Sequence, residues 1–180
     1  MHGIIYKRAT THNELHQILE LQQANIINSI SEKEKLSEGF VTVNHSFETL
    51  NAMNNACSHI IAKQNSEVVG YVLSMVSKFK DTIEVLVPMF KEIDKYLNNE
   101  YSYLVMGQIC VDKIFRKQGL FRGLYNYMRQ ELNSNYDVLI TEVDTKNIRS
   151  LNAHKAVGFQ VLKSYKSNNH DWELLIWNWK

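Results

Sequence analysis

The residues best placed to do chemistry run from Val111 to Gly123 as Val111-Asp112-Lys113-Ile114-Phe115-Arg116-Lys117-Gln118-Gly119-Leu120-Phe121-Arg122-Gly123. They link the continuous apolar run Tyr103 to Val111 to a segment carrying Leu124, Met128 and Leu132 at spacings of four. A buried strand therefore enters a loop, and an amphipathic helix leaves it. Backbone N–H groups in such a loop and in the first helical turn have no internal acceptors, and the helix dipole adds partial positive charge. A pyrophosphate suits that arrangement. Gly119 allows close approach of the ligand, and Arg116, Lys117 and Arg122 add cations that favour phosphate oxygens. The same residues also describe an ordinary strand-to-helix connection with solvated basic side chains, because one glycine and three cations form a weak signal by themselves.

Other reactive side chains carry less. Glu142 interrupts an apolar or small run, Asp137 to Val143, where a carboxylate either serves as a general base or partners a nearby cation. Cys110 has no neighbouring His and acid pair, which reads as a small buried thiol rather than a nucleophile. Cys57 and Cys110 fit no metal or redox spacing. His12 and His16 share a helix face as metal ligands can, yet no third ligand accompanies them, so they read as surface histidines. Trp172, Trp177 and Trp179, with Phe159 and Tyr165, read as core packing or a dimer contact ahead of a binding platform.

These residues need a scaffold, and the chain spells one out. Ile4 to Arg8 reads as a strand; Leu15, Ile18, Leu19, Leu21 and Ile26 as a helix capped by Thr11 or Asn13; and Ser46 as the cap of a helix carrying Phe47, Leu50 and Met53. His59 to Lys63 and Val68 to Val76 form a hairpin about a short polar turn. Pro88, the one proline, marks the first turn of a further helix. After the strand Tyr103 to Val111 and the helix Leu120 to Leu132 come a strand, Asp137 to Val143, a short helix, Ile148 to Val157, stopped by Gly158, and a closing hairpin of Gln160 to Tyr165 with Trp172 to Trp179. Strands with intervening helices specify an α/β domain with a mixed sheet.

Composition sets the limits. With 180 residues, 44% of them hydrophobic, and no Gly/Ser-rich stretch or internal repeat, the chain reads as one domain, residues 1 to 180. The formal charge of +1 disfavours nucleic acid and anionic membranes as partners, so any anion must be held locally. No apolar run approaches the roughly 18 residues needed to span a bilayer. The expected compartment is the cytoplasm.

The loop resembles the pyrophosphate motif of the GNAT acetyltransferase superfamily, Arg/Gln-x-x-Gly-x-Gly/Ala, matching at Arg116 and Gly119 and departing at Phe121, where the family has a small residue. Gly123 is the residue expected to relieve crowding there. A second stretch resembles the family's fifth strand and following helix: Asn147, Ser150 and the pair Gly158-Phe159 occupy the places of its asparagine, its small residue and its Gly-Phe pair. The resemblance implies a mainly antiparallel sheet of about seven strands, flanked by four to five helices, with a splayed strand pair. It implies acetyl-CoA as co-substrate, no metal, and direct attack by an amine acceptor, small molecule or peptide, in a ternary complex. Ile109, Cys110 and Val111 would bind the pantetheine arm; Arg116, Lys117, Gln118, Gly119, Leu120, Phe121, Arg122 and Asn147 complete the coenzyme site. His154 stands where the family carries a general-acid tyrosine, and Glu142 is the candidate base. A domain that binds acyl-CoA without turnover is the competing implication.

Overall fold

The computed structural model describes residues 3–27, 31, 40–97 and 101–180. Parts of the segments 31–45 and 78–100 lie outside the described residues.

The chain order is β1 (Ile5–Arg8), α1 (His12–Gln23), α2 (Phe47–Ala56), β2 (Ile60–Gln64), β3 (Glu67–Met75), α3 (Val87–Leu97), β4 (Tyr103–Val111), α4 (Leu120–Leu132), β5 (Val138–Asp144), α5 (Ile148–Val157), β6 (Gln160–Ser167) and β7 (His170–Asn178). Thr11 starts α1 through a capping box with Glu14, and Ser46 accepts from the Thr49 N–H at the head of α2. Ile26 falls beyond α1 and bridges Val41 instead. Around Pro88, two short 3-10 turns, Ser77–Phe79 and Glu84–Leu86, precede α3. The closing hairpin is longer than its apolar pattern indicates, because Asn168 and Asn169 both adopt left-handed φ (51° and 62°) and form the tight two-residue turn that matches strand twist.

The seven strands form one sheet in the order β1-β2-β3-β4-β5-β7-β6. Every neighbouring pair is antiparallel except β4 with β5. Side chains alternate across each strand, so adjacent residues enter different cores. Ile140 and Leu174 join Leu15, Leu50, Met53 and Phe90 beneath α1, α2 and α3, whereas Leu139 and Leu175 join Leu124, Met128 and Trp177 beneath α4 and α5. The aromatic residues of the hairpin divide the same way: Trp177, Trp179 and Phe159 pack under α4, and Tyr165 packs on the other face.

One irregularity creates the site. Strands β4 and β5 pair only at Tyr103↔Val138, Leu104↔Leu139 and Val105↔Ile140, after which they part. A register shift between β3 and β4 lies alongside, opposite Val72 to Ser74. The β5-facing edge of Met106 to Val111 consequently has no ladder partner among the described residues, and a V-shaped opening forms between the two strands.

Candidate active site

A cavity of about 760 Å³ occupies this opening. Ten residues expected at the coenzyme site line it: Ile109, Cys110, Val111, Arg116, Lys117, Gly119, Leu120, Phe121, Arg122 and Asn147. Gln118 does not; its exposed amide donates to the Ile114 carbonyl at 2.8 Å.

The loop owes its shape to local chemistry. Asp112 accepts from the Ile114 N–H at 2.9 Å, while Lys117 (φ 62°) and Gly119 (φ 87°) turn the chain left-handed. The first bond of α4 runs from the Gly123 N–H to the Gly119 carbonyl at 2.9 Å, so the N–H groups of Leu120, Phe121 and Arg122 have no helical acceptor. A Cβ on Gly119 would find nothing within 4 Å, so the loop is open on that side. Arg116 staples the site: its Nε donates to the Val111 carbonyl (3.0 Å) and an Nη to Asn25 Oδ1 (2.6 Å). Arg122 reaches the Ala156 carbonyl at 3.3 Å and ties α4 to α5.

Gly123 does something other than relieve Phe121. A Cβ there would lie 2.0 Å from the Tyr6 hydroxyl, so the glycine seats β1 against α4. Phe121 finds room elsewhere, edge-on to Tyr125 and to His154, each at 5.2 Å between ring centres.

A strap crosses the opening. Asn147 caps α5 by accepting from the Ser150 N–H, and its Nδ2 donates to the Phe40 carbonyl at 3.1 Å. Gln108 accepts from the buried Tyr71 hydroxyl and donates to the Val43 carbonyl at 2.8 Å; Gln22 accepts from the His45 N–H at 2.7 Å. These polar side chains hold residues 40–45 above the parted strands. Gln108 and Gln22 carry no chemical motif, so only the fold shows their purpose.

His154 is 1% exposed and absent from the cavity wall. Its Nδ1 lies 2.7 Å from the Ser150 carbonyl, which can only accept, so that nitrogen carries the proton. Its Nε2, then bare, accepts from the Tyr125 hydroxyl at 2.7 Å. Burial holds the imidazole pKa down to about 4. Neither nitrogen faces the cavity, and the ring is neutral at pH 7.

Glu142 lies on β5 past the point where the strands part, on the α1 and α3 face. It accepts from the Tyr165 hydroxyl, and burial outweighs that bond, raising the carboxyl to about 7. Two residues on, Asp144 binds His170 Nδ1 at 2.6 Å, a pairing that 26 residues of separation conceal in the sequence. Burial pushes the Cys110 thiol up to about 12, consistent with an apolar role. His12 and His16 are exposed and pack on Phe47, and no group among the described residues has the make-up of a metal site. No helix among them is long and apolar enough to cross a membrane.

The Acetyltransferase (GNAT) family profile matches residues 20–159. No curated protein matches the chain by sequence. Among solved structures, the NatC complex bound to Gag peptide and CoA aligns at 18% identity and a TM-score of 0.67, covering 97% of this chain and 98% of that one. The ribosomal-protein-S18-alanine N-acetyltransferase from Escherichia coli aligns at 16% identity and 0.64, covering 98% and 94%. The structure of yncA from Salmonella typhimurium with its cofactor acetyl-CoA aligns at 14% and 0.66, covering 99% and 95%. At such identities the likeness is one of fold. With the profile spanning both motifs and the strands parted at the expected place, the chain belongs to the GNAT acetyltransferase family, whose chemistry is acyl transfer from coenzyme A.

Proposed function

We propose that this chain transfers an acetyl group from acetyl-CoA to a primary amine, small molecule or peptide, by direct attack within a ternary complex. The observation that carries the reading is a continuous cavity that joins the open N-terminal turn of α4 to the unpaired edge of β4. The pyrophosphate would take the N–H groups of Gly119 to Arg122, with Lys117 and Arg122 supplying charge. The pantetheine arm would lie along Ile109 to Val111 and bring the thioester to the V-shaped opening. Arg116 and Asn147 act by bracing the walls, since their side chains already bind protein.

Glu142 is the proton acceptor in this reading. A carboxyl poised at about 7 is half ionised at neutral pH, the condition in which a base of that class is most useful. As the amine attacks, its proton passes to Glu142, the C–S bond breaks, and the departing thiolate recovers a proton from solvent or from Glu142. His154 is placed in that account as a positioning residue that packs α5 against α4, because it has no free nitrogen to offer the sulfur.

The location of His154 also favours a second reading, an acyl-CoA-binding domain without turnover. Incubation with acetyl-CoA and a panel of primary amines, followed by titration of released thiol, separates the two. Tight coenzyme binding with no thiol release for any amine leaves the second reading standing.

A further inference from the structure

The pair Asp144–His170 has the build of an oriented base. Asp144 ends β5, and its side chain is only 4% exposed. One carboxylate oxygen accepts from the Lys146 N–H at 2.8 Å and the other faces His170 Nδ1 at 2.6 Å. A carboxylate held twice in this way requires the proton on Nδ1, so in the neutral ring Nε2 is the bare nitrogen. The His170 side chain is 42% exposed, so the ring is open to solvent while the carboxylate that orients it is buried. Trp172 flanks the ring at 5.6 Å between centres.

The pair stands one turn of chain from the cavity wall, without lining it. The Asp144 carbonyl accepts from the Asn147 N–H at 2.8 Å, and Asn147 and Ile148 line the cavity. The Thr145 N–H donates to the Asp171 carbonyl at 2.9 Å and clamps the hairpin tip to the β5–α5 turn. Alternation along β5 puts Asp144 and Glu142 on one face, and the matching alternation puts His170 and Trp172 on that face of β7. A purely structural tie would not need a ring open to solvent, since Thr145 and Asp171 already fasten the hairpin.

We propose that His170, oriented by Asp144, is an outer proton acceptor for the amine. This rests on the reading of the chain as an amine acetyltransferase. An alkylammonium must lose one proton before it can attack and a second once the tetrahedral intermediate forms. An ammonium N–H bond breaks with its electron pair left on nitrogen, and the proton moves to His170 Nε2. The imidazolium is then balanced by the Asp144 carboxylate and passes the proton to solvent. Glu142, buried on the same face of the sheet, takes the second proton. The neighbouring ionisable groups are Glu142 and Asp144 on β5, Tyr165 and Lys166 on β6, Asp171 on β7 and Glu92 from α3 beside Tyr165; Lys166 is paired with Asp171 at 2.9 Å.

His170→Gln keeps a donor for Asp144 but removes the base, so it separates catalysis from fastening. Thiol release would be followed near pH 7 with ethylamine, which is an ammonium there, and with 2,2,2-trifluoroethylamine, which is largely neutral. The variant is expected to lose at least about tenfold in kcat/KM with ethylamine and less than about threefold with the fluorinated amine, and Asp144→Asn is expected to show the same contrast. Equal losses with both amines, or none, would overturn the proposal. If the wild-type chain acetylates neither amine, the same comparison is made with a strongly and a weakly basic amine that the panel shows to be accepted; a wild type that releases thiol with none of the amines fails the acetyltransferase reading first, and that failure shows in the wild type, not in the variant. Long-range 1H–15N spectra provide a readout independent of turnover. They should show His170 protonated at Nδ1 alone at high pH, and an Nε2–H tautomer would refute the orientation.

Discussion

Gly119→Glu is the sharpest test of the coenzyme site, because geometry separates its backbone effect from its charge effect. Gly119 sits at φ 87°, so any side chain there meets the left-handed penalty of about 1–2 kcal/mol. That penalty falls on the loop in the free and bound protein alike and mainly lowers stability. A Cβ meets nothing within 4 Å, so alanine adds strain without a clash. Glutamate adds a carboxylate beside the N–H groups of Leu120 to Arg122, where the pyrophosphate is expected. At about 4–5 Å and an effective dielectric constant of about 20, each unit of phosphate charge is repelled by roughly 3–4 kcal/mol. Even one such charge lowers affinity by roughly two orders of magnitude or more. Gly119→Asn is the control, since asparagine tolerates the left-handed backbone and carries no charge. Calorimetric titration with coenzyme A should show Gly119→Asn within about tenfold of wild type and Gly119→Glu at least about a hundredfold weaker. Added salt should narrow the gap. Comparable affinity in the two variants, both folded by circular dichroism, would refute the placement of the phosphates.

Glu142→Gln should cut kcat by about 10²–10⁴ with coenzyme affinity unchanged, and the wild-type rate should rise through about pH 7 as the carboxyl ionises. A flat pH–rate profile would exclude Glu142 as the base. Burial lowers His45 and His154 to about 4 and His59 to about 3, so unfolding takes up protons below the ordinary histidine range. Their stabilising effect is therefore present above about pH 6.5 and is lost as pH falls toward 4. Glu142 has the opposite sign, being protonated in the native state up to about 7, which leaves a net uptake of about two protons on unfolding. Urea titrations between pH 6.5 and 4.5 should thus lose about 2–3 kcal/mol per pH unit, and stability independent of pH in that window would contradict the buried, neutral histidines. His154→Phe should cost about 1–3 kcal/mol by stranding the Tyr125 hydroxyl, and adding Tyr125→Phe should recover part of that loss in thermal melts.

The fold was legible where one local signal decided the outcome. The spacing of Leu124, Met128 and Leu132 located α4, Ser46 and Thr11 marked their helices, and Gly158 ended α5. The signal thinned where backbone conformation mattered more than hydrophobic pattern. Asn168 and Asn169 close the last hairpin without a glycine, and Glu84–Leu86 spends an apolar run on a 3-10 turn. The cavity wall was mostly readable because a strand, a loop and a helix terminus are contiguous in sequence. Gln118 escaped the pattern because it bonds back to Ile114. The side-chain pairs of β5 with the hairpin were not readable: Asp144 with His170 and Glu142 with Tyr165 are set together by strand register alone. Gln108 and Gln22 look like ordinary polar residues until the strap they hold is seen.

The two departures from the family pattern, Phe121 and His154, occupy one place in the molecule. Their rings meet edge to face at 5.2 Å, and Phe121 makes the same contact with Tyr125, whose hydroxyl occupies His154 Nε2. Phe159, of the Gly-Phe pair, closes the group at 5.3 Å from His154. A bulky residue at 121 on α4 is tolerated because a ring at 154 on α5 receives it; burial keeps that ring neutral, and Tyr125 and Ser150 satisfy both its nitrogens. Changing only one member of the group breaks this arrangement: tyrosine at 154 would bring a second buried hydroxyl against Tyr125, and glycine at 121 would uncover the histidine edge. The substitutions are therefore better understood as one coupled repacking of α4 on α5 than as two independent losses of a motif. In the proposed reaction, proton removal would then fall to Glu142 on β5 and His170 on β7, while α4 and α5 would hold the coenzyme.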